Sequence, residues 1–305
     1  MSNFNVKIGI NPISWSNDDL PELGGETPLE TALAEGAEIG YAGFELGNKF
    51  PKEPEALKAK LGEFGVECVS GWYSGRLAEG SVENEVMAVQ QHMKKLVHNG
   101  CKVMVYGEVA DSIQGDKTQA LARRPRFTEA EQWKAYGRRL TEFGAYLKSQ
   151  GITLAYHHHM GAYCETPEDL DVLMAATGPE VGLLFDTGHM YFAGGDPLTE
   201  LKKHIGRVVH VHCKDVREPV MKMARNRGWS FLDSVLNGVF TVPGDGVIDF
   251  PSILSTLAAN GYQGWLVVEA EQDPAVAPSY KYAKMGYDYL NGLVREIAAR
   301  GALAA

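Results

Sequence analysis

Short apolar runs rich in valine, isoleucine and leucine alternate with longer amphipathic stretches along almost the whole chain. This alternation predicts βα units, in which helices connect successive parallel strands. Eight strand–helix pairs follow one another, and no composition shift or low-complexity segment divides them. The pattern therefore predicts an α/β fold, a single (β/α)8 TIM barrel over residues 1–305. The predicted strands cover residues 6–12, 43–47, 67–73, 102–108, 152–159, 181–186, 208–215 and 265–271.

Two segments interrupt this regular pattern. Residues 109–127 are polar and basic and predict a long loop, which is either a solvated connection or a functional lid or subunit contact. Residues 216–247 are predicted to form the longest irregular insertion of the chain.

Four apolar strands in the second half of the chain end in residues of metal-ligand type. Their ends carry the triplet His157–His159, Asp186, His212 and Glu269. In a (β/α)8 barrel the carboxyl ends of the strands meet at one face, and that face carries the active site. We therefore expect these side chains to converge in a site there.

The ends of the last three strands, Asp186, His212 and Glu269, form a carboxylate–imidazole–carboxylate set. Mixed nitrogen and oxygen ligands suit Mn²⁺, Co²⁺, Zn²⁺ or Fe²⁺ rather than Ca²⁺. Taken singly, such an aspartate is often a helix cap, and such a histidine is often a hydrogen-bonded core residue. His157 is the predicted fourth ligand because the apolar run stops there, and strand alternation places His159 on the same side.

Further side chains lie close to this set in the sequence. His189 is predicted to polarise a substrate oxygen or to transfer a proton. Lys214 is in phase with His212, so it is either a catalytic group at the mouth of the site or an ordinary exposed lysine. His210 is expected to fill the barrel interior, and His159 is expected either to support the metal ligands from behind or to bind substrate.

The first half of the barrel offers other candidates. Glu108 ends an apolar strand and is a candidate general base or acceptor for a sugar hydroxyl. Asn11, Trp72 and Arg217 are predicted substrate contacts; the Trp72 ring either offers an apolar face to a ring substrate or packs in the core.

Composition and charge narrow the classes of partner. The net charge of −10 argues against a partner bound through a phosphate backbone, so we expect no nucleic acid. No apolar run approaches the ~20 residues that a membrane span needs, so we expect no membrane partner. Met1–Asn5 lacks a signal pattern and the four cysteines lack paired spacing, which predicts a cytoplasmic protein with free thiols.

Several short motifs stand at the strand ends and turns: Leu154–His157, Phe185–His189, Val209–Asp215, Pro243–Gly246 and Val267–Glu269. Together they resemble the xylose isomerase-like barrel superfamily, which includes sugar isomerases, epimerases and endonuclease IV. The segments Gly9–Asp19 and Tyr156–Gly161 are similar, more narrowly, to the inosose dehydratases of myo-inositol catabolism.

The narrower resemblance implies a hydro-lyase that removes water from 2-keto-myo-inositol (scyllo-inosose), a cyclic polyol ketone, to give a trihydroxycyclohexane-1,2-dione. It implies a divalent metal, Mn²⁺ or Co²⁺, as Lewis acid. Many relatives carry Glu at the fifth-strand ligand position, where this chain has His157. In this interpretation Glu269 is the first choice of base and Glu108 the second, and His189 is the acid. We also expect a homo-oligomer.

Three other functions are compatible with part of this pattern. A metal-dependent sugar or polyol isomerase or epimerase forms the same enolate but returns the proton, so product mass separates it from a dehydratase. An abasic-site nuclease requires a basic face along the DNA, and the net charge of −10 argues against such a face. A non-catalytic polyol-binding protein predicts tight ligand binding without turnover.

Overall fold

The structure, a computed structural model, describes residues 4–303; Met1–Asn3, part of the segment used in the signal argument, lie outside that range. Eight parallel strands close into a barrel, which confirms the predicted fold class. The barrel strands are β1 Val6–Ile10, β2 Gly43–Leu46, β3 Glu67–Gly75, β4 Val103–Glu108, β5 Thr153–His157, β6 Val181–Asp186, β7 Val208–Cys213 and β10 Gly264–Val268. They neighbour one another in the order β1-β10-β7-β6-β5-β4-β3-β2. A separate two-stranded sheet pairs β8 (Asp215–Val216) with β9 (Phe240–Thr241).

Helices follow the barrel strands along the chain. They are α1 Leu29–Ile39, α2 Pro54–Glu63, α3 Val82–His98, α4 Ala130–Ser149, α5 Pro167–Ala176, α6 Thr187–Phe192, α7 Pro197–His204, α8 Glu218–Arg227, α9 Phe231–Leu236, α10 Phe250–Ala259 and α11 Ser279–Leu303. Local sequence sets their starts: at α5 the Thr166 side chain accepts a hydrogen bond from the Asp169 amide, and Pro167 takes the first helical position. None of the helices within residues 4–303 combines the length and apolarity of a membrane span.

Strand alternation divides the apolar side chains into two layers. Val105, Ala155 and Leu184 belong to a small cluster inside the barrel, against which Trp72 packs. The intervening Tyr106 and Tyr156 face the helical layer and stack with 5.8 Å between ring centroids. A residue two positions beyond an inward-facing one therefore also faces inward, and this phase decides which strand ends can reach a common site.

The insertion over residues 216–247 is ordered rather than irregular, so that prediction was wrong. It contains α8, α9 and β9, and β9 pairs antiparallel with β8. The Asp215 carboxylate accepts backbone hydrogen bonds from Gly244, Gly246 and Ile248 at 3.0–3.1 Å, which closes the insertion onto the barrel. The sequence pattern did not predict α8, because that helix buries only Met221 and Ala224. Two buried positions are too few to give the apolar periodicity of a helix.

The long loop over residues 109–127 is attached to the connection between β5 and α5. Arg124 is buried; its guanidinium donates to the Tyr163 carbonyl at 3.0 Å and to the Asp169 carboxylate at 2.6 Å. The Phe127 ring stacks on Tyr163 with 4.2 Å between centroids. The loop is therefore not a freely solvated connection, which was one of the two predicted alternatives.

Candidate metal centre

The four predicted metal ligands lie on adjacent strands at the carboxyl end of the barrel. His157 and Asp186 are the last residues of β5 and β6, His212 is near the end of β7, and Glu269 directly follows β10. Register places Asp186 beside His212 on the neighbouring strand. All four side chains are buried. The structure therefore brings the whole predicted ligand set together.

One nitrogen or oxygen atom from each of these residues faces a common point. His157 Nε2 and His212 Nδ1 lie 3.6 and 3.4 Å from Asp186 Oδ2, and His212 Nδ1 lies 2.8 Å from Glu269 Oε2. Four ligands placed tetrahedrally around a metal at bond lengths of roughly 2.0–2.2 Å are about 3.4 Å apart. The two separations from Asp186 Oδ2 match that arrangement, and the 2.8 Å between His212 Nδ1 and Glu269 Oε2 is shorter.

The chemistry of the donors also fits a divalent metal ion. Asp186 Oδ2 is buried and accepts no hydrogen bond from any residue in the range 4–303, and the buried His212 Nδ1, although 2.8 Å from Glu269 Oε2, forms no well-aligned hydrogen bond there. Buried polar atoms normally have a partner, so a shared cation accounts for both. Two imidazole nitrogens and two carboxylate oxygens suit a first-row divalent ion rather than Ca²⁺.

Asp186 serves two roles at once. Its Oδ1 accepts a hydrogen bond of 2.8 Å from the His189 amide at the start of α6, and its Oδ2 faces the ligand atoms of His157 and His212. The helix-cap and metal-ligand alternatives for this residue are therefore compatible. The cap holds the carboxylate in the orientation that a ligand needs.

Groups behind the ligands orient the two imidazoles. His157 Nδ1 contacts the His158 carbonyl at 2.5 Å, which leaves its Nε2 for the cation. His212 Nε2 lies 3.0 Å from Glu45 Oε2, and His210 Nε2 lies 2.7 Å from Glu45 Oε1. His210 thus fills the interior, as expected. Glu45 was not predicted as a site residue, although its place two residues beyond Gly43 in β2 puts it in the inward phase.

Lys214 is fully buried, so the exposed-lysine alternative is wrong. Its ammonium lies 2.7 Å from Glu269 Oε1, 2.7 Å from Glu271 Oε2 and 3.0 Å from His189 Nε2. Burial opposes its charge, but the carboxylates of Asp186, Glu269 and Glu271 raise the pKa of Lys214 above its ordinary value. The residue is therefore a fixed internal cation.

Glu271 was missing from the predicted site residues, although it follows Glu269 by two positions and so shares its phase. It is buried and lines the cleft. Burial raises the pKa of Glu271 to about 7, against the effect of the Lys214 ammonium, which lowers it.

His189 and His159, both predicted as site residues, lie beside Lys214. Burial and then the Lys214 ammonium hold the pKa of His189 well below its ordinary value, so its ring is neutral and does not fit the predicted acid. His159 Nδ1 bonds to the Met160 carbonyl at 2.8 Å, and its side chain lines the cleft. Burial and then His157 lower the pKa of His159 to about 3, so this ring is neutral as well.

A cavity of about 330 Å³ opens above the ligands, within the usual size range of small-molecule sites. Asn11 and Trp72 both line it, as predicted for substrate contacts, and Gln114 enters it from the long loop. The Asn11 amide donates to Glu45 Oε2 at 3.0 Å. Trp72 lies across Gly107, where a Cβ atom would be 2.0 Å from the indole ring. The remaining polar wall is formed by Asp18, Asp19, Ser74, His92 and Lys95.

Glu108 does not reach the cleft, which removes the geometric basis for its predicted role as a base. Val105 faces the barrel interior, so the phase of β4 turns Glu108 toward the helical layer. Its carboxylate accepts hydrogen bonds of 2.9 Å from Tyr106 Oη and from the amides of Ala78 and Ala110. Glu108 therefore ties together the loops that follow β3 and β4.

Arg217, a predicted substrate contact, is also away from the cleft. Its guanidinium donates to the Gly238 and Phe240 carbonyls at 3.0 and 3.2 Å and forms an ion pair of 2.8 Å with Asp245. These contacts hold β9 and the following turn in place. The sequence could not separate this role from substrate binding, because the partners lie more than twenty residues further along the chain.

Comparisons with known proteins agree with this geometry. A family model described as the xylose isomerase-like TIM barrel matches residues 33–291. The chain is 51% identical to the rhizopine catabolism protein MocC of Rhizobium meliloti, over 98% of this chain and 90% of that protein. It is 46% identical to the inosose dehydratase of Geobacillus thermodenitrificans, over 93% of this chain and 96% of that protein. A solved structure described as the IOLI protein with a binding zinc atom has TM-score 0.66 at 16% identity, covers 97% of this chain and 99% of that chain, and shares the fold.

We predict that Asp186→Asn weakens Mn²⁺ binding by more than about 100-fold, because it removes a ligand charge whereas loss of an outer partner alone typically costs 10–100-fold. Asparagine is an equally good helix cap, so α6 is retained. Isothermal titration calorimetry measures the affinity, with Glu108→Gln as a control that leaves it unchanged. Equal affinities for Asp186→Asn and the wild type would contradict the ligand assignment.

We predict that Glu108 makes stability fall as pH rises. Burial raises the pKa of Glu108 to about 7. At pH values below the pKa that Glu108 has in the unfolded chain, its carboxyl is protonated in both the folded and the unfolded state. Between that pKa and about pH 7, the unfolded chain loses the proton whereas the folded protein keeps it. This difference lowers the free energy of unfolding by up to about 3 kcal/mol.

Glutamine does not titrate, so Glu108→Gln should lack this part of the pH dependence, whatever its absolute stability. Urea unfolding of both proteins at about pH 5 and pH 8 measures the difference in the free energy of unfolding. Parallel pH profiles would show that Glu108 ionises in the folded protein at its ordinary pKa.

Proposed function

The chain belongs to the inosose dehydratase family of xylose isomerase-like TIM barrels, and on that premise we propose that it is itself an inosose dehydratase. It removes water from scyllo-inosose, which makes it a hydro-lyase acting on a small cyclic polyol ketone. Relatives named inosose dehydratase share 42–46% of residues with this chain over more than nine-tenths of its length.

One observation on the chain's own residues supports this proposal most. Asp186 Oδ2, which is buried and has no hydrogen-bond partner among residues 4–303, converges with ligand atoms of His157, His212 and Glu269 beneath a polar cleft. We propose Mn²⁺ or Co²⁺ as the ion, because this mixed donor set suits both. When bound by these four residues, the ion supplies Lewis-acid polarisation of the substrate ketone.

We propose that His159 accepts the proton from the carbon next to the ketone. Its Nδ1 is bonded to the Met160 carbonyl, so the neutral ring presents the lone pair of Nε2. Glu269, the base expected from the sequence, has Oε2 beside His212 and Oε1 paired with Lys214, which leaves neither oxygen free. His159 therefore replaces Glu269 in this role.

The departing hydroxyl needs a proton to leave as water. Glu271 lines the cleft and is the proposed donor, because burial favours its protonated form. His189 and Lys214 do not line the cleft, so they are proposed to position Glu271 and Glu269 rather than to touch substrate. The elimination is complete when the C–H electrons form the new double bond and the C–O bond breaks.

Some earlier predictions stay as proposals. The net charge of −10 supports a protein that acts without nucleic acid. A homo-oligomeric state, the absence of a membrane partner and a cytoplasmic location are retained as predictions from the sequence.

We predict that the purified protein with Mn²⁺ converts scyllo-inosose into a product lighter by one water, followed by mass spectrometry and by the ultraviolet absorbance of the enolised dione. An isomerase or epimerase gives a product of unchanged mass. Rhizopine is tested in parallel because one relative is named for its catabolism. Full activity after stringent chelation would refute the metal requirement, and an unchanged product mass would refute dehydration.

We predict that His159→Ala lowers kcat about 10²–10⁴-fold with little change in KM, since it removes a proton acceptor rather than a binding contact. Added imidazole should restore part of kcat by entering the space left by the ring. A raised KM with unchanged kcat would instead support the substrate-binding role expected from the sequence.

A further inference from the structure

The head of Lys214 has the surroundings of a bound cation. Its ammonium contacts Glu269 Oε1, Glu271 Oε2 and His189 Nε2 at 2.7, 2.7 and 3.0 Å. An ammonium has three N–H donors, so these contacts use all of them and leave none for a substrate. The ring of Phe240 covers it with 4.7 Å between Nζ and the centroid.

The same surroundings form a second ligand set beside the metal centre. His159, His189 and Glu271 each offer an atom within 4.8 Å of the others'. Glu269 joins the two sets, because its Oε2 faces the metal ligands and its Oε1 faces Lys214. A carboxylate shared in this way is the arrangement expected between two cations about 3.5–4 Å apart.

The chain is built to bring a lysine into this position. Lys214 follows His212 by two residues, so it shares the inward phase of the β7 end. Its stem passes Gly188, where a Cβ atom would lie 2.5 Å from Lys214 Cγ. Any larger residue at position 188 would displace the lysine.

We infer that a second divalent-cation position lies beside the metal centre, formed by His189, Glu269 and Glu271 with His159 nearby, and that the Lys214 ammonium permanently fills it. This inference rests on the proposed metal centre and adds to it: the enzyme uses one metal ion because its own lysine supplies the second charge. Without that charge, two buried carboxylates lose their partner, and a divalent ion with nitrogen and oxygen ligands replaces it.

The test loads the full-length protein with Mn²⁺ alone and records metal content and electron paramagnetic resonance spectra. Lys214→Met removes the charge but keeps an unbranched apolar stem. Lys95→Met removes a lysine from the wall of the same cleft and is the matched control. We expect one uncoupled Mn²⁺ in the wild type and in Lys95→Met, and two exchange-coupled Mn²⁺ ions in Lys214→Met. The double variant Lys214→Met/Glu271→Gln should return to a single uncoupled ion.

The outcomes separate this inference from the proposed function. A coupled pair in the wild type, or a single uncoupled ion in Lys214→Met, would overturn the inference and leave the metal centre intact. No cleft-bound Mn²⁺ in the wild type would overturn both. If Lys214→Met folds poorly, a larger Mn²⁺-induced rise in its melting temperature than in that of the wild type supports the inference, and an equal or smaller rise overturns it.

Discussion

The mouth of the barrel depends on balancing several buried carboxylates where water has little access. An isolated buried carboxylate is strongly disfavoured, so each needs a positive partner. The Lys214 ammonium neutralises Glu269 and contacts the Glu271 carboxyl. Burial opposes the ionisation of Glu45, but the imidazoles of His212 and His210 hold its pKa well below its ordinary value. Asp186 Oδ2 accepts no hydrogen bond among the described residues and faces the atoms that would share a cation with it. The candidate metal centre is thus one part of the charge balance at the mouth of the barrel.

The barrel and the four ligands could be predicted because both follow from local sequence rules. Each apolar run predicts a strand, and each run in the second half stops at a residue of metal-ligand type. The ends of parallel strands must meet at one face, so His157, Asp186 and His212 could be placed together before any contact was known. The period of two also separated His158 from its neighbours.

The remaining part of the site depends on contacts that barrel closure creates. Glu45 and His210 touch although 165 positions separate them, and no local pattern indicates that pairing. Glu108 is the opposite case, because its sequence position suggested a role in the site that it does not have. It ends an apolar strand, but it is one residue out of the inward-facing alternation, so its side chain faces the helices. The burial of Lys214 was equally hidden, because it requires the space beside Gly188 and acidic partners from another strand.

The long loop over residues 109–127 carries Gln114 into the cleft, and Arg124 ties it to the connection after β5. Ordering such a segment costs conformational entropy of about 1–2 kcal/mol for each residue fixed. Because the buried guanidinium and the Phe127–Tyr163 stack hold the loop during folding, that cost is met before a ligand arrives. Substrate therefore meets a preorganised wall, and its binding energy remains available for the reacting atoms.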